Sequence, residues 1–248
     1  MPLNPTFATG IDISQHNGSY DPSVKPVDFV IARATIGLRI DARFRETAAK
    51  DITGVLMAYH YYTTNSPWKW QADLLLNTVR NTPVTMLFWD YEPGGNTLGK
   101  IAADNSVAAM SYLKQQSGKP VGLYADRQRA FDIYRDAPAS RGFPLWMAQY
   151  YTEKPYWDRT PNIEPLYKPQ FPNGVGWLLW QYASEKNWLG HDAGHEYGVE
   201  SHSIDLDVWR GTKEQMLSYL GLWDNSPTEP TDKERLNILW EEYKKTHP

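Results

Sequence analysis

Two acidic residues, Asp90 and Glu92, come at the end of an apolar run that starts at Val84. If residues 84–88 form a buried strand, positions 90 and 92 leave it on the same face, because alternate residues of a strand point the same way. Two carboxyl groups in different environments are the minimum requirement for cleaving a glycosidic bond. Two acids in a solvated loop fit this stretch equally well, so the surrounding elements have to decide.

Apolar runs of strand length recur along the chain, and several alternate with segments of helical periodicity. Strands are predicted at residues 7–13, 27–34, 54–62, 84–91, 120–125, 145–150, 176–182 and 203–209, and helices at residues 41–51, 68–80, 104–116, 127–135 and 212–222. The first five strands alternate with helices, which predicts a parallel sheet, whereas Pro-, Gly- and Asn-rich segments join the last three. We therefore expect an α/β fold, a TIM-like barrel with five β/α units followed by three strands.

Two further acids, Asp12 and Asp205, lie near the ends of the first and eighth predicted strands. These two strands are neighbours when a barrel closes, so both acids are expected at the same rim as Asp90 and Glu92. Repulsion and partial burial raise the pKa of at least one carboxyl group in such a cluster, which makes it a general acid near neutral pH. Each acid taken singly also fits a surface or capping role.

The composition excludes some classes of function. The net charge of the 248 residues is −4, so the basic face of a nucleic-acid-binding protein is not expected. The chain has no Cys, which excludes disulfides and thiolate metal sites. Its 11 Trp and 16 Tyr suit a large core or a cleft in which aromatic faces stack on sugar rings.

The two ends of the chain differ from the middle. The first residues lack the basic start and apolar centre of a secretory signal, and no apolar run is long enough to span a bilayer. We therefore expect a soluble product without a signal peptide and without membrane insertion. Residues 223–230 have linker composition, and residues 231–248 repeat apolar side chains at helical spacing after a capping box.

The predicted domains are accordingly a catalytic barrel at residues 1–222, a linker at residues 223–230 and an amphipathic helix at residues 231–248. A helix of this length is marginally stable alone, so its apolar stripe is expected to dock on the barrel or on a second chain. The oligomeric state stays open.

Short motifs occur on the predicted strands in a fixed order. The first strand carries Gly10-Ile11-Asp12-Ile13-Ser14 and the fourth carries Trp89-Asp90-Tyr91-Glu92. The others carry Phe29-Val30-Ile31-Ala32-Arg33-Ala34-Thr35, Ala58-Tyr59-His60-Tyr61, Gly122-Leu123-Tyr124, Leu145-Trp146-Met147-Ala148-Gln149-Tyr150, Trp180-Gln181-Tyr182 and Ile204-Asp205-Leu206-Asp207. Together they resemble glycoside hydrolase family 25, the Chalaropsis-type lysozymes, over about residues 9–211. Each motif is short, but eight in order are specific, and the family barrel has the strand count predicted above.

The resemblance implies an N-acetylmuramidase that hydrolyses the β-1,4 bonds between N-acetylmuramic acid and N-acetylglucosamine in bacterial peptidoglycan with net retention. It implies that Glu92 is the general acid and base and that Asp90 is either a nucleophile or the stabiliser of a substrate acetamido group. Asp12 and Asp205 are then supporting acids. The residues implied to line the sugar cleft are Tyr61, Tyr62, Tyr124, Trp146, Tyr150 and Gln181.

The resemblance also implies that no cofactor and no metal are needed. Its implied partner is bacterial peptidoglycan. A chain without a signal peptide fits a phage endolysin that reaches the cell wall by phage-assisted release, and non-classical export of a bacterial enzyme is the other route.

Three positions depart from the family pattern. Arg33 stands where Lys is common, Ile36 stands where an acid is frequent, and Asp207 stands where Asn is usual. Arg and Lys place their donors differently, so details of substrate contact are affected at the first position. Asp207 either alters the response of the site to pH or faces away from it.

Two alternative functions remain from the residues. A metal-dependent polysaccharide hydrolase or deacetylase is suggested by His191 and His195, together with Asp12, His16 and His60. Glycines around the histidine pair argue against the helix that such ligands need. A non-catalytic carbohydrate-binding protein would keep the aromatic cleft, but the presence of both acids of the Asp-x-Glu pair favours an enzyme.

Overall fold

The strands of the protein follow the apolar runs of its sequence. The computed structural model describes residues 7–150, 176–184 and 193–223. The strands are β1 (Thr9–Ile13), β2 (Phe29–Ile36), β3 (Arg39–Ile40), β4 (Val55–Tyr61), β5 (Leu87–Asp90), β6 (Val121–Asp126), β7 (Leu145–Ala148), β8 (Trp177–Ala183) and β9 (Asp205–Trp209). The helices are α1 (Phe44–Ala48), α2 (Trp68–Val79), α3 (Lys100–Ser117), α4 (Arg127–Asp136), α5 (Ala193–Glu196) and α6 (Lys213–Tyr219). The eight predicted strands all form, with bounds that differ by a few residues.

Eight of these strands close into a barrel in the order β1, β2, β4, β5, β6, β7, β8, β9 and back to β1. Neighbouring strands from β1 round to β8 run parallel, whereas β9 runs antiparallel to both β8 and β1. The short β3 forms a hairpin with β2. The predicted TIM-like barrel is confirmed, but its sheet is mixed rather than wholly parallel.

The reversed direction of β9 determines which end of the barrel its first residues reach. Asp205 at the start of β9 pairs with Asp12 near the end of β1. A parallel β9 would have carried Asp205 to the opposite rim. The antiparallel arrangement therefore brings the two acids to the carboxyl end of the parallel strands.

Side chains alternate between two apolar layers along the barrel strands, as strand geometry requires. The inner layer fills the barrel and includes Phe29, Met57, Phe88 and Trp146. The outer layer packs between the barrel and its helices and includes Trp89. A strand residue therefore faces either the barrel axis or the helices, and its position in the alternation decides which.

Three local features go beyond the sequence prediction or differ from it. The connection after β1 is a 3-10 turn, Gln15–Asn17, and the side chain of Ser14 caps it. Trp70 lies within the helix predicted at residues 68–80, but its side chain is 61% exposed and does not join the packed side of α2. A helical turn forms at Ala193–Glu196 despite the glycines nearby.

The helix predicted at residues 231–248 and most of the linker at residues 223–230 lie outside the described residues. The last described residues, Leu222 and Trp223, are exposed at the end of the barrel domain. In the part of the chain that the structure describes, no helix is both long enough and apolar enough to cross a membrane.

His60 on β4 faces the outer layer and is fully buried. Its Nε2 lies 2.9 Å from Oε1 of Gln71, which can only accept, so Nε2 carries the hydrogen. Its Nδ1 then accepts from the hydroxyl of Thr35 at 2.7 Å. The neutral imidazole is fully hydrogen-bonded in this arrangement, and burial lowers the pKa of His60 from 6.5 to about 4.

His60 is therefore expected to destabilise the fold as the pH falls. His60 is protonated below about pH 6.5 in the unfolded chain but stays neutral down to about pH 4 in the folded chain. The free energy that neutral, buried His60 contributes to folding is therefore present at neutral pH and is lost between those two values. The loss reaches about 2 kcal/mol by pH 5. Urea unfolding of the wild type and of His60→Gln at pH 7 and 5 measures it, because the variant lacks this titration. The difference in stability between the two proteins should shrink by that amount, and a difference independent of pH would contradict the assignment.

Candidate active site

A pocket of about 370 Å³ opens at the carboxyl ends of the parallel strands. Each of the eight barrel strands, or the segment that directly follows it, contributes at least one side chain. This is the end at which barrels of this type build their active sites. The lining residues are Asp12, Arg33, Tyr59, Tyr61, Asp90, Glu92, Tyr124, Trp146, Tyr150, Gln181, Ser184 and Asp205.

The four predicted acids all line this pocket, at different depths. Asp12 is 4% exposed and Asp90 is 3% exposed, so both lie on the floor. Glu92 and Asp205 are half-buried. Asp90 and Glu92 face the pocket together because they are two positions apart on β5 and its extension.

Asn96 fastens the segment that carries Glu92. Its Nδ2 donates to the carbonyl oxygens of Glu92 and Tyr62, each at 2.9 Å. Its Oδ1 accepts from the backbone N–H of Thr64 at 2.9 Å. One amide side chain thus joins the loop after β5 to the loop after β4, and the backbone of Glu92 is held against its neighbour.

The environment of Asp90 favours its neutral form. Burial raises the pKa of Asp90 well above its ordinary value, and the negative charges of Glu92 and Asp12 raise it further. The guanidinium group of Arg33 acts in the opposite direction. One carboxyl oxygen of Asp90, Oδ1, is buried with no donor among the described residues. The charge of Asp90 therefore depends on whether Glu92 is protonated.

Glu92 is more accessible, and the pKa of Glu92 is raised by burial first and by the negative charge of Asp126 second. The neighbouring Tyr124 side chain lowers this pKa in part. A glutamic acid has the properties of a general acid when its pKa is raised, so that it keeps its proton at a higher pH than usual, and when it lies in an open pocket.

Gln181 connects three side chains of the pocket. Its Oε1 accepts from the hydroxyls of Tyr124 at 2.9 Å and Tyr150 at 2.8 Å. Its Nε2 donates to Oδ2 of Asp12 at 2.7 Å. Because the amide is filled on both sides, Gln181 fixes the position of Asp12 relative to the two tyrosines.

Trp146 forms the lower wall of the pocket and is 1% exposed. Its ring centroid lies 4.4 Å from that of Tyr124 and 5.8 Å from that of Tyr59, with both pairs edge to face. Its Nε1 donates to Oδ1 of Asp207 at 2.7 Å. The indole is therefore held by two aromatic contacts and by a hydrogen bond at its polar edge, whereas Tyr150, at 40% exposed, presents an accessible ring.

The hydroxyl of Tyr61 lies against the backbone of Gly94. A Cβ atom at Gly94 would overlap the Tyr61 hydroxyl oxygen, so a residue with a side chain cannot stand there without displacing the tyrosine. Gly94 thus lets the loop after β5 pass close to Tyr61.

The family model for glycosyl hydrolases family 25 matches residues 11–191, which include the strands that supply most of this pocket. The chain belongs to glycosyl hydrolase family 25. It is accordingly a glycoside hydrolase, and the resemblance inferred from the strand motifs is confirmed. A comparison with curated protein sequences gave no match.

Solved structures share the fold of this family 25 hydrolase. The catalytic domain of the endolysin ply40, from a bacteriophage of Listeria monocytogenes, is 20% identical with a TM-score of 0.62, over 88% of this chain and 98% of that one. A family 25 glycosyl hydrolase from Bacillus anthracis is 19% identical with a TM-score of 0.61, over 86% and 93%. The modular autolysin LytC from Streptococcus pneumoniae, solved with a synthetic peptidoglycan ligand, is 18% identical with a TM-score of 0.57, over 82% and 46%.

The structure brings nine of the ten predicted site residues of the hydrolase into the pocket, and Tyr62 is the exception. Tyr62 is 2% exposed and packs in the outer layer, where its ring lies 5.2 Å from that of Trp89. The expectation that Tyr62 lines the cleft is wrong, because Tyr61 before it faces the pocket and neighbouring strand residues face opposite ways.

Three lining residues were not among the predicted site residues. Arg33 and Tyr59 face inward because they continue the alternation of Phe29 and Met57 on their strands, so the period of two was a usable signal. Ser184 follows a register shift between Gln181 and Ala183, which breaks the alternation. No pattern in the sequence marks that shift.

Of the histidines suggested for the alternative metal site, the three that the structure describes are not brought together with Asp12. His60 faces the outer layer, and His16 is exposed on the turn after β1. His195 Nε2 lies 3.0 Å from the carbonyl oxygen of Glu200, and His191 falls outside the described residues. Within residues 7–150, 176–184 and 193–223, no group of three His, Cys, Asp or Glu side chains is placed to hold a metal ion.

Proposed function

We propose that this family 25 hydrolase is an N-acetylmuramidase that cleaves the β-1,4 bond between N-acetylmuramic acid and N-acetylglucosamine in bacterial peptidoglycan, with net retention. The observation that carries the proposal is the placement of Asp90 and Glu92 on one face of the pocket, with Glu92 the more accessible of the two. Proteins of the same fold give it support, since one was solved with a peptidoglycan ligand and another is a phage endolysin.

In the proposed reaction Glu92 begins protonated and gives its proton to the glycosidic oxygen as the bond to the anomeric carbon breaks. The leaving sugar departs as an alcohol, and Glu92 is left as a carboxylate. It then removes a proton from the water that attacks the anomeric carbon, which returns Glu92 to its starting state.

Asp90 is proposed to be ionised during this step. Protonation of Glu92 removes a negative charge that raises the pKa of Asp90, and the guanidinium of Arg33 favours the carboxylate. An anionic Asp90 serves either route to retention, as a nucleophile at the anomeric carbon or as the group that stabilises attack by the substrate acetamido oxygen.

The remaining pocket residues are proposed to hold the sugar. Asp12 and Asp205 are the supporting acids, which offer hydrogen bonds to the substrate. Tyr61 and Tyr150 have accessible rings on which a pyranose can pack, while Trp146 supports Tyr124 from below.

The reducing end of the product tests the function. Purified peptidoglycan is digested, reduced with borohydride and analysed by mass spectrometry, and N-acetylmuramic acid is expected at every new reducing end. Proton NMR during cleavage of a soluble fragment of the peptidoglycan polysaccharide should show the β-anomer of the product first, as retention requires. New ends at N-acetylglucosamine would contradict the proposed bond, and the α-anomer first would contradict retention.

Addition of EDTA distinguishes the metal-dependent alternative. The proposed mechanism uses no metal, so equal rates are expected with and without chelator, whereas loss of activity would favour a metal enzyme. An inactive wild type would favour a carbohydrate-binding protein. Action on the cell wall after phage-assisted release or non-classical export is part of the same proposal.

A further inference from the structure

Asp207 is a buried acid directly beneath the pocket, and the proposed reaction gives it no role. It is 0% exposed, on the inward face of β9 between Asp205 and Trp209. In the two antiparallel pairs that β9 makes, Asp207 lies opposite Gly10 of β1 and Gln181 of β8. Because Asp12 pairs with Asp205, Asp207 is the diagonal neighbour of Asp12, on the same face of the sheet.

Asp207 contacts two residues that line the pocket. Its Oδ1 accepts from Nε1 of Trp146 at 2.7 Å. Its carboxyl group is also hydrogen-bonded to the carboxyl group of Asp12. Oδ2 of Asp207 is buried, and no N–H or hydroxyl group of the described residues donates to it.

A hydrogen bond between two carboxyl groups requires a proton on one of them, because ionised carboxylates only accept. Each group accepts one N–H at 2.7 Å, Asp207 from Trp146 and Asp12 from Gln181, so the neighbouring charges decide which group carries it. Asp12 lines the pocket together with Asp90, Glu92 and Asp205, whereas Asp207 is fully buried and does not line it. Burial raises the pKa of both groups well above the ordinary value, and the charges of Asp207 and Glu92 raise that of Asp12 further. The crowding of acids around Asp12 therefore places the proton on Asp12.

The charged and titratable groups around the pair come from every side of the barrel mouth. The N–H of Gln181 can donate to the carbonyl oxygen of a neutral acid as well as to a carboxylate, so its bond to Asp12 is kept when Asp12 is protonated. The groups that face Asp12 and Asp207 are Arg33, Tyr59, Asp90, Glu92, Tyr124, Tyr150 and Asp205. The charge of Asp207 also acts on Tyr182 in the outer layer.

We propose that Asp207 is an ionised positioning residue. It accepts one hydrogen bond from the carboxyl O–H of a neutral Asp12 and another from the indole N–H of Trp146. One negative charge is thereby kept beneath the pocket instead of on its floor. Asp12 then adds no charge beside Asp90, which can ionise when Glu92 is protonated. The location of the proton in the Asp12–Asp207 pair does not depend on the proposed muramidase activity, whereas the effect of the pair on the rate of hydrolysis rests on that function.

Reciprocal amide substitutions test where the proton lies. Asn at position 12 can donate to Asp207 and accept from Gln181, so Asp12→Asn should keep the melting temperature within about 3 °C of the wild type. Asp207→Asn keeps an acceptor for Trp146 but offers an N–H to Asp12, which should then ionise. If Asp207 carried the proton instead, the results of the two variants would be exchanged. If neither group carried a proton, both variants would be more stable than the wild type.

Carbon-13 NMR of protein labelled at aspartate carboxyl groups reads the proton directly. In the wild type the Asp12 signal, assigned by its absence in Asp12→Asn, should stay at the protonated position between about pH 5 and 7, and in Asp207→Asn it should move to the ionised position. An Asp12 signal that is the same in both proteins would overturn the proposal. This result stands whether or not peptidoglycan is cleaved.

The pH profile of activity adds a readout that a purely structural role would not change. An ionised Asp12 near Glu92 holds the proton on Glu92 more tightly, so the alkaline limb should move up by about half a pH unit in Asp207→Asn. Asp28→Asn is the matched control, since the Asp28 carboxylate accepts from the backbone of Thr9 away from the pocket and its loss should leave the profile in place. An unmoved profile in Asp207→Asn would also contradict the proposal.

Discussion

Replacing Glu92 with Gln is expected to lower kcat on peptidoglycan by about a thousandfold, with KM changed by less than about threefold. Gln fills the same space, but it cannot give a proton to the leaving oxygen. The loss should therefore fall on the chemical step and not on binding. Initial rates of release of reducing ends at several substrate concentrations measure both constants.

A glutamate outside the pocket provides the control. Glu46 is on α1 and forms exposed ion pairs with Arg43 and Lys50, so Glu46→Gln removes the same charge without touching the site. Its kcat should equal that of the wild type. Full activity in Glu92→Gln would refute the general-acid assignment, and equal losses in both variants would point to an effect on folding.

The pH dependence of the wild type should follow from the same group. The pKa of Glu92 is raised by burial and by the charge of Asp126, so its proton is retained above the ordinary range and is lost as the pH rises. Activity should fall on the alkaline side as that proton leaves. In Asp126→Asn the alkaline limb should move to lower pH, because one of the charges that hold the proton is gone.

The barrel itself could be predicted from the sequence, because each strand is a buried apolar run and the alternation with helices allows few other folds. The direction of β9 could not. Alternation of strands and helices favours a parallel sheet, yet Asp205 reaches the pocket because β9 is reversed and pairs with Asp12. Strand direction depends on how the barrel closes, and no local pattern in residues 203–209 encodes it.

The sequence allows a partial prediction of which side chains face the pocket. The period of two places Tyr59 and Tyr61 inward and His60 and Tyr62 outward, and applying it strictly would have removed Tyr62 from the cleft and added Tyr59. Ser184 is different, because the register shift before it arises from pairing between β8 and β9. Alternation predicts the facing of a residue only while the strand stays regular.

The contacts that give the acids distinct properties join distant parts of the chain. Gln181 reaches Asp12 across 169 positions, and Trp146 reaches Asp207 across 61. The sequence showed that Asp207 is an extra acid but left open whether it faces the site. Only closure of the barrel, which brings β9 between β8 and β1, places it under Asp12.

Replacing Arg33 with Met is expected to lower the free energy of unfolding by about 3–5 kcal/mol. Arg33 Nε lies 2.7 Å from Oδ2 of Asp41, and the two side chains are 7% and 1% exposed. Removing the cation leaves a buried carboxylate whose remaining donors are the backbone N–H groups of Gln15 and Arg43. Urea unfolding at neutral pH measures the loss, which corresponds to roughly 10 °C in melting temperature.

The matched control is an exposed ion pair of similar length. Lys69 lies 2.9 Å from Asp73, but these side chains are 54% and 38% exposed, so Lys69→Met should cost less than about 1 kcal/mol. Replacing both Arg33 and Asp41 with apolar residues should cost less than the sum of the two single changes, because the unpaired charge disappears. Equal losses in Arg33→Met and Lys69→Met would show that the buried pair contributes no more than a surface one.

Arg33→Met should also move the acid limb of activity to higher pH, because Asp90 loses the cation that favours its ionised form.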